Sequence, residues 1–372
     1  MRWFRKVKWF FLIIWLLVTI CIIRILAIDS IIIQSPACKP HLQPGDNILV
    51  SKIHYGPRLP ITYHRFSGFT RIKRGDLLAF NFPEGDSAIR GIGSISYYSL
   101  KRKQESENDT LSKVSIQYRP IGRRDPEVSR CAGLPGDTIV IGQRRNYTEE
   151  GRNYTEEGRN YTEEGRNYAS LREPSYDYLV EVKNRQLPME FLTRLGLGPS
   201  EVQILPGLGY LMPLRADQVS LVKQRPEVTA LSAYLMEPGR GDYNIFPHDA
   251  RYPWNRDNFG PVIVPGKGDS IRLTLLNLCI YQRVIEVYEK NHLEVRQDQI
   301  FINGSPSEHY TFKQDYYFVL GDNRHHSRDS RHWGFLPEDH IIGKPVLIWF
   351  SAKRTAGQPF RIYWNRIFNT PV

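Results

Sequence analysis

QPGDNILVSKI, residues 43–53, contains the pattern that decides the fold: a Pro-Gly-Asp turn is followed at once by an apolar, strand-like run, Asn47–Ile53. The same Gly-Asp step precedes the apolar runs Leu77–Phe82 and Thr138–Ile141. Turn residues that repeatedly introduce short β-prone runs are typical of antiparallel sheets. The sequence therefore predicts a mainly antiparallel β domain.

Composition and charge narrow the class of protein. Of the 372 residues, 41% are hydrophobic and 12% aromatic, which fits a folded chain and excludes a disordered one. The net charge of +11 raises the question of a nucleic-acid partner. Four of the cations lie within residues 1–8, and the others are scattered among acidic residues instead of forming a stripe. We predict no nucleic-acid partner, and expect anionic lipid headgroups to face any surplus positive charge.

The N-terminus has the pattern of a membrane anchor. The basic residues 1–8 precede an apolar stretch, 9–28, which only Arg24 interrupts. About 20 apolar residues cross a bilayer as a helix, and flanking cations stay on the cytoplasmic side. Residues 26–29 do not supply the small-residue cleavage site of a signal peptide. We predict an uncleaved single span, with the N-terminus in the cytoplasm and the main domain outside.

Beyond the anchor, the chain divides into segments of different composition. RNYTEEG occurs three times in tandem between residues 145 and 165, and its glycines and single aromatic per repeat exclude a coiled coil. The predicted segments, in chain order, are a cytoplasmic tail (1–8), the anchor (9–28), the first part of the β domain (30–83), a polar excursion (84–127), a strand region (128–142), the low-complexity repeat loop (143–170), a less regular α+β insertion (171–258) and the last part of the β domain (259–355).

Later elements follow from the same rules of periodicity and turn chemistry. The prediction comprises strands over Tyr178–Val182, Val262–Val264 and Ser270–Leu275, helices over Met189–Leu195 and Leu278–Glu289, and a hairpin at Asn303-Gly304.

Four sequence boxes, taken in order, resemble bacterial signal peptidase I. They are SPACKPHLQPGDNILVSKIHYGPRLP (35–60), RGDLLAFNFPEGD (74–86), SRCAGLPGD (129–137) and GDNRHHSRDSRHWGFLPEDHIIGKP (321–345). The resemblance implies a signal peptidase I-like β domain behind one membrane helix. It also implies removal of signal peptides from exported proteins by a Ser/Lys dyad.

The two dyad positions are the places where this chain departs from that family. In the resemblance, the nucleophile falls on Ala37 and the lysine base on Ser129. Alanine has no nucleophile, and a serine hydroxyl is no base at neutral pH. We therefore predict little or no endopeptidase activity.

Other family positions are retained. The resemblance gives Ser35 a role in holding the oxyanion, and gives Ser327 and Asp329 the role of bracing the lysine. Arg130 matches the residue after the lysine, and the fold-supporting loop comprises Gly321, Asp322, Asn323 and Arg324.

Replacement groups for the dyad remain as alternatives. Ser35 with Lys39 would be separated by about 13 Å in an extended segment, and Cys38 would point away from the side that residue 37 faces. His41 lies in the wrong box for a base. Cys38 and Cys131 flank the two dyad positions, either as a disulfide that seals the site or as two unrelated buried thiols.

We predict no cofactor and no metal. The cysteines form no C-x-x-C pair. The histidines near the C-terminus fit no known ligand spacing, and most match surface positions of the loop and helix in the family; they are His325, His326, His332 and His340.

The predicted localisation is the bacterial cytoplasmic membrane, as a single-pass protein. The predicted partners are the lipid bilayer and exported preproteins or signal peptides, with an active signal peptidase paralogue as a further candidate. Two alternatives stay open: an active peptidase with a relocated nucleophile, and a non-catalytic envelope protein that binds through the insertion at 176–240.

Overall fold

The computed structural model describes residues 2–59, 65–89, 97–98, 101, 116–142, 174–183, 187–198, 201–353 and 360–371, with the backbone alone for 2–8, 25, 88–89, 116 and 353. The predicted repeat loop 143–170 and most of the predicted excursion 84–127 lie outside these residues.

The chain folds mainly into antiparallel strands. The strands are β1 (Ile28–Ile32), β2 (Asp46–Ser51), β3 (Leu77–Asn81), β4 (Ser87–Ile89), β5 (Ile116–Tyr118), β6 (Pro126–Gly133), β7 (Thr138–Ile141), β8 (Tyr176–Val182), β9 (Gln203–Leu205), β10 (Gly209–Leu214), β11 (Val228–Ala233), β12 (Phe259–Ile263), β13 (Ser270–Arg272), β14 (Leu293–Arg296), β15 (Gln299–Ile302), β16 (Ser305–Pro306), β17 (His309–Thr311), β18 (Tyr316–Leu320), β19 (Leu336–Pro337), β20 (Ile341–Lys353) and β21 (Arg361–Ile362).

The α-helices whose bounds lie within the described residues accompany them. They are α1 (Arg2–Leu26), α2 (Met189–Arg194), α3 (Ala216–Lys223), α4 (Leu278–Arg283) and α5 (Ser330–Trp333).

The main sheet has eight strands, in the order β1-β2-β20-β3-β6-β18-β19, with β21 also paired to β20. The mainly antiparallel prediction is confirmed, since every strand pair of this sheet is antiparallel. Apolar clusters cover the sheet. One is built around Leu42, Ile48 and Val50, and a second around Phe80 and Trp333.

The three Gly-Asp turns that predicted the fold share one geometry. Each glycine has a positive φ, between 85° and 100°, which only glycine adopts without strain. In each turn the aspartate carboxylate accepts a hydrogen bond from the backbone amide three residues before it. The donor and acceptor pairs are Gln43 N to Asp46 Oδ2 (2.9 Å), Lys73 N to Asp76 Oδ2 (3.0 Å) and Leu134 N to Asp137 Oδ2 (2.7 Å).

The insertion is more regular than predicted. Its strands form a separate four-stranded antiparallel sheet in the order β11-β8-β10-β9. This sheet and helices α2 and α3 enclose their own core, in which Val180, Met212 and Val222 are fully buried.

Two predicted elements of the last segment are shorter than expected. The helix predicted over Leu278–Glu289 is α-helical only to Arg283, and a π-helical turn continues it over Val284–Tyr288. The strand predicted to reach Leu275 ends at Arg272, because the Asn277 side chain folds back and accepts the Thr274 amide (2.8 Å).

Helix α1 begins before the predicted span and ends at Leu26, so that β1 follows it directly. Lys52 ties the end of the helix to the sheet: its amine donates to the Arg24 carbonyl (3.0 Å) and lies 3.0 Å from the Asp29 carboxylate. Within the described part of the chain, no helix reaches the length and apolar character of a membrane span. The transmembrane anchor therefore stays a prediction.

Candidate active site

The predicted nucleophile position lies in a tight turn. Pro36–Cys38 forms one 3₁₀ turn, and Ser35 caps it by accepting the Ala37 amide on its side-chain oxygen (3.2 Å). The expectation of an extended segment here was wrong, because the proline at the first position favours a turn. Ala37 is buried, so a side chain at this position faces protein and not solvent.

The residues after Ala37 are held by other partners. The Cys38 thiol donates to the Val128 carbonyl (3.1 Å), and burial raises the pKa of this thiol well above its usual value. The Lys39 amine is bound to the Glu201 carboxylate of the insertion at 2.7 Å. These contacts leave Cys38 protonated and direct Lys39 towards the insertion, which argues against both as replacement groups.

Ser129, the predicted base position, lies beside this turn. It is a buried residue of β6, directly opposite Leu78 of β3. The carbonyl of its neighbour Val128 accepts a hydrogen bond from the Cys38 thiol. Each predicted dyad position is therefore next in sequence to one partner of this bond. The structure thus links the two segments that carry Ala37 and Ser129 through the bond between Cys38 and Val128.

The loop 321–329 closes the site from the other side. The Asn323 amide donates to the Ala37 carbonyl (2.9 Å). A Cβ on Gly321 would lie 2.7 Å from that carbonyl oxygen and 2.1 Å from the Ser327 hydroxyl oxygen. Position 321 therefore requires glycine because two other groups occupy the space of a side chain.

Ser327 has an unusual environment for a polar residue. It is only 6% exposed, and its hydroxyl has no hydrogen-bond partner in the described part of the chain. Buried hydroxyl groups are usually paired, because an unpaired one costs about 1–3 kcal/mol. The resemblance gives this serine a lysine amine as partner, and the unpaired state fits a site in which that lysine has been replaced by Ser129.

Asp329 remains fully paired. Its carboxylate accepts from both Nε and Nη2 of Arg331 (2.8 Å each) and from the Gly321 amide (3.0 Å), and it caps α5. Burial acts to raise the pKa of Asp329, but the Arg331 guanidinium outweighs it and lowers the pKa to about 2. Asp329 therefore holds the loop in shape as a permanent anion.

Arg130 and Asp322 connect β6 to the same loop. The guanidinium donates Nε to Oδ1 (2.8 Å) and Nη2 to Oδ2 (2.6 Å), a bidentate pair. Its remaining Nη1 donates to the Gly75 carbonyl (2.7 Å). The position of Arg130 is fixed, and it supports the fold rather than offering a free cation.

Arg324 faces the insertion. Its backbone amide donates to the Ser175 carbonyl (3.0 Å), and the Ser175 amide donates to the Asp322 carbonyl (2.9 Å). The Arg324 guanidinium is buried, and its Nε and Nη1 have no partner among the described residues.

The surface placement predicted for most of these histidines was wrong at least once, because two of the four side chains are buried. The side chains of His325 and His340 are 0% and 2% exposed, and the carboxylates of Asp257 and Asp339 respectively bind the two rings. No cluster of His, Cys, Asp and Glu suited to a metal ion occurs within the described ranges.

The two buried cysteines belong to different apolar clusters. Cys38 packs with Leu42 and Ile48, whereas Cys131 packs with Phe80 and Trp333. Both thiols are free, and burial raises the pKa of each. Of the two alternatives for this pair, the structure has the unrelated buried thiols.

Glu127 was missed by the sequence interpretation. It lies two residues before Ser129 in β6 and so faces the same side of the strand. Burial and the nearby carboxylates Asp125 and Asp329 raise its pKa to about 7, although Arg328 opposes the shift. The alternation of side chains along a strand could have placed this carboxyl on the same side of β6 as Ser129.

Comparison with known proteins identifies the family. The profile described as "Signal peptidase, peptidase S26" matches residues 6–194 and 228–350. The chain belongs to the bacterial signal peptidase I family. Relatives similar to it include signal peptidase I of Buchnera aphidicola subsp. Baizongia pistaciae (40% identical over 27% of this chain) and probable signal peptidase I-2 of Synechocystis sp. (28% identical over 36%).

These alignments cover only part of either protein. The chain spans 35% of the Buchnera signal peptidase I and 58% of the Synechocystis protein, less than two thirds of each. The family profile leaves out residues 195–227 and everything after 350, which are the middle of the insertion and the C-terminal segment.

The two positions that the family uses for its dyad carry other residues in this chain. At the turn, the Ala37 amide donates to the Ser35 side-chain oxygen (3.2 Å). Neither an alkoxide precursor at position 37 nor an amine at position 129 is available for acyl transfer.

Proposed function

We propose that this protein is a signal peptidase I homologue that holds an extended peptide from an exported protein and cleaves it little or not at all. The observation that carries the proposal is the pair Ala37 and Ser129, which provide neither nucleophile nor base and whose sequence neighbours Cys38 and Val128 are hydrogen-bonded. The Ser327 hydroxyl supports it, because the family gives this serine a lysine amine as partner and here it has no hydrogen-bond partner among the described residues.

Two strand edges near Ala37 support peptide binding. β1 pairs only with β2, and β18 pairs with β6 only from Arg130 onward. Among the described residues, the outer edge of β1 and the start of β6 therefore have no strand partner on that side. An extended peptide binds such edges by adding a strand, and its main-chain hydrogen bonds do not require a catalytic group.

The experiment is restoration of both groups, Ala37→Ser with Ser129→Lys, followed by an assay on a signal-peptide substrate. We expect the double variant to cleave and the parent chain to remain near background, since the hydroxyl needs a neutral amine to remove its proton. Each single variant is the matched control and should remain inactive. Cleavage by the parent chain, with contaminating protease excluded, would overturn the proposal.

We also propose that α1 anchors the chain in the bacterial cytoplasmic membrane, with the N-terminus in the cytoplasm. Its apolar side chains from Trp9 to Ile23 are mostly about half exposed, which leaves a large apolar surface without protein cover. We expect the full chain to stay in the membrane after alkaline extraction. External protease should reach the domain after residue 28; extraction into the soluble fraction would contradict the anchor.

A second candidate is a non-catalytic envelope protein that partners an active signal peptidase. The folded insertion favours it, because its sheet has two edge strands, β9 and β11, each with one side that no other described strand pairs with. Deleting residues 176–233 should abolish co-purification of an active paralogue in this case, whereas the peptide-holding proposal predicts retention of peptide binding. A relocated nucleophile instead predicts that Ser35→Ala or Cys38→Ala abolishes a measurable cleavage.

A further inference from the structure

Two adjacent histidines of the site loop contact the insertion through carboxylates. The His325 ring has 0% exposure and lies between two aspartates: Nδ1 is 3.1 Å from Asp177 Oδ2, and Nε2 is 2.7 Å from Asp257 Oδ1. His326 Nε2 reaches the other Asp177 oxygen at 2.9 Å. Asp177 belongs to β8 of the insertion, and Asp257 to the segment that leaves it.

We propose that His325, held between Asp177 and Asp257, is a pH-sensitive latch that fastens the insertion to the loop facing Ala37. A doubly protonated ring directs one N–H at each carboxylate. It gives up the bond that Nδ1 accepts from the Asp177 amide, but charge-assisted bonds are roughly twice as strong as neutral ones. The latch lies next in sequence to two contacts of the site loop. The Asn323 amide donates to the Ala37 carbonyl, and the Arg324 amide donates to the Ser175 carbonyl.

Deprotonation changes the bonding of His325 without removing the ring. Its Nδ1 also lies 3.1 Å from the Asp177 backbone amide, so a neutral ring accepts from that amide while Nε2 still donates to Asp257. The Asp177 carboxylate then loses its bond from His325 and keeps only the one from His326, which is 41% exposed. The insertion is held more weakly, although the Ser175 contacts remain.

The direction of the pH dependence follows from all groups that face the ring. Burial lowers the pKa of His325, but the hydrogen bonds to Asp177 and Asp257 outweigh it, so the pKa is raised. The pKa of each of the two aspartates is lowered. Other groups around this cluster are Tyr176, whose ring meets His325 edge-on, Arg256 at 3.5 Å from Asp257, Arg331 with an electrostatic interaction with Asp257, and His326.

The latch is therefore closed below the usual histidine range and opens as pH rises through the raised pKa of His325. At acidic pH the His325 ring is protonated in both the closed and the released state, and the latch contributes its full free energy. This contribution is lost as the ring deprotonates at alkaline pH. Each unit by which closing raises the pKa changes the closing equilibrium by about tenfold.

The test uses the full chain in detergent, without any peptide, so that it does not depend on the proposed binding function. Amide hydrogen exchange is measured for fragments covering 174–183 and 321–329 from pH 5.5 to 9, corrected for the intrinsic rate. We expect protection of both segments to fall together as pH rises. Exchange at the histidine ring carbon, measured in the same samples, should give His325 a pKa above its usual value.

Two variants sharpen the result. Asp257→Asn removes one carboxylate, so the midpoint of the protection change should move to lower pH while the chain stays folded. His292→Gln is the matched control, because His292 also pairs with a carboxylate, Glu294 at 2.7 Å, but is 71% exposed and lies outside the insertion. It should leave both segments unchanged.

Protection that is independent of pH in the parent chain would overturn the latch. So would an unshifted midpoint in the Asp257→Asn variant. If that variant fails to fold, the ring pKa in the parent chain decides: a His325 pKa at or below its usual value contradicts the proposal.

Discussion

Ser327, in the loop 321–329, and Ser330, the first residue of α5, are both buried serines, and they differ in their hydrogen bonding. The Ser327 hydroxyl has no partner among the described residues, whereas the Ser330 oxygen accepts the Val319 amide at 2.9 Å. The cost of deleting a hydroxyl depends on what it leaves unpaired, not on its burial alone.

Ser327→Ala should therefore change the free energy of unfolding by less than about 0.5 kcal/mol, or raise it. Ser330→Ala is the matched control and should cost about 1–3 kcal/mol, because it leaves the Val319 amide buried and unpaired. Urea unfolding followed by tryptophan fluorescence measures both. Equal losses for the two variants would show that Ser327 has a partner after all.

Glu127 makes stability depend on pH at the site itself. Its raised pKa, about 7, means that the folded protein binds a proton that the unfolded chain releases near pH 4.5. Stability contributed by the neutral carboxyl is thus lost as pH rises from about 4.5 to about 7.

Glu127→Gln keeps the shape and removes the titration. We expect the variant to unfold at a higher temperature than the parent at pH 8, and at nearly the same temperature at pH 4. Thermal scans at both pH values measure the difference, and Glu190→Gln, an exposed glutamate in α2, is the control. A gain of equal size at pH 4 and pH 8 would contradict the raised pKa.

At the scale of elements, Gly321 shows how closely the site loop approaches the nucleophile turn. A methyl group there would overlap the Ala37 carbonyl oxygen, which is backbone and cannot rotate away. Gly321→Ala should cost at least about 2 kcal/mol, and should also disturb the Asn323 hydrogen bond to the turn. Gly122→Ala, where an added Cβ meets nothing within 4 Å, is the control and should be nearly neutral.

Unfolding midpoints in urea compare the two glycine variants. A Gly321→Ala protein as stable as Gly122→Ala would mean that the loop does not pack on Ala37 as the structure has it.

Elements with a local signal were predictable from the sequence. The Gly-Asp turns fixed the starts of β2, β3 and β7 within a residue, because a glycine with positive φ and an aspartate cap are chemical requirements of that turn. The α-helix at 278–283 ended early because periodicity does not distinguish an α-helix from the π-helical turn that follows.

Contacts between distant segments were not predictable in the same way. The motifs predicted the residues of the site, but no spacing along the chain pairs His325 with Asp177 and Asp257, since that contact depends on how the insertion packs. The same holds for Lys39, whose partner Glu201 lies 162 residues away.

For the whole molecule, the C-terminal segment belongs to the main domain although the family profile ends at residue 350. Arg366 donates Nη2 to Asp46 Oδ2 (2.6 Å) and Nε to Asp46 Oδ1 (3.0 Å), and Asp46 is fully buried in the first Gly-Asp turn. The C-terminal segment therefore supplies the arginine that pairs with the buried Asp46 carboxylate of the first Gly-Asp turn.

Arg366→Ala should lower the free energy of unfolding by about 3 kcal/mol, because it leaves a buried carboxylate without its charged partner. Arg361→Ala removes an exposed arginine of the same segment and should cost less than about 0.5 kcal/mol. Chemical denaturation measures the free energy of unfolding of both variants. Equal losses would mean that the Ser351 hydrogen bond alone is enough to stabilise the Asp46 carboxylate.

The pairing of β2 with β20 has a consequence for biosynthesis. Asp46 and Ser351 are hydrogen-bonded across 305 residues of chain, so β2 lacks its partner β20 until the chain has been synthesised beyond residue 351. Pairings this distant form slowly and leave strand edges open in the meantime. The nascent polypeptide therefore leaves the ribosome with the β1–β2 hairpin unpaired on the β20 side, and chaperones that shield such edges should limit the yield of folded protein.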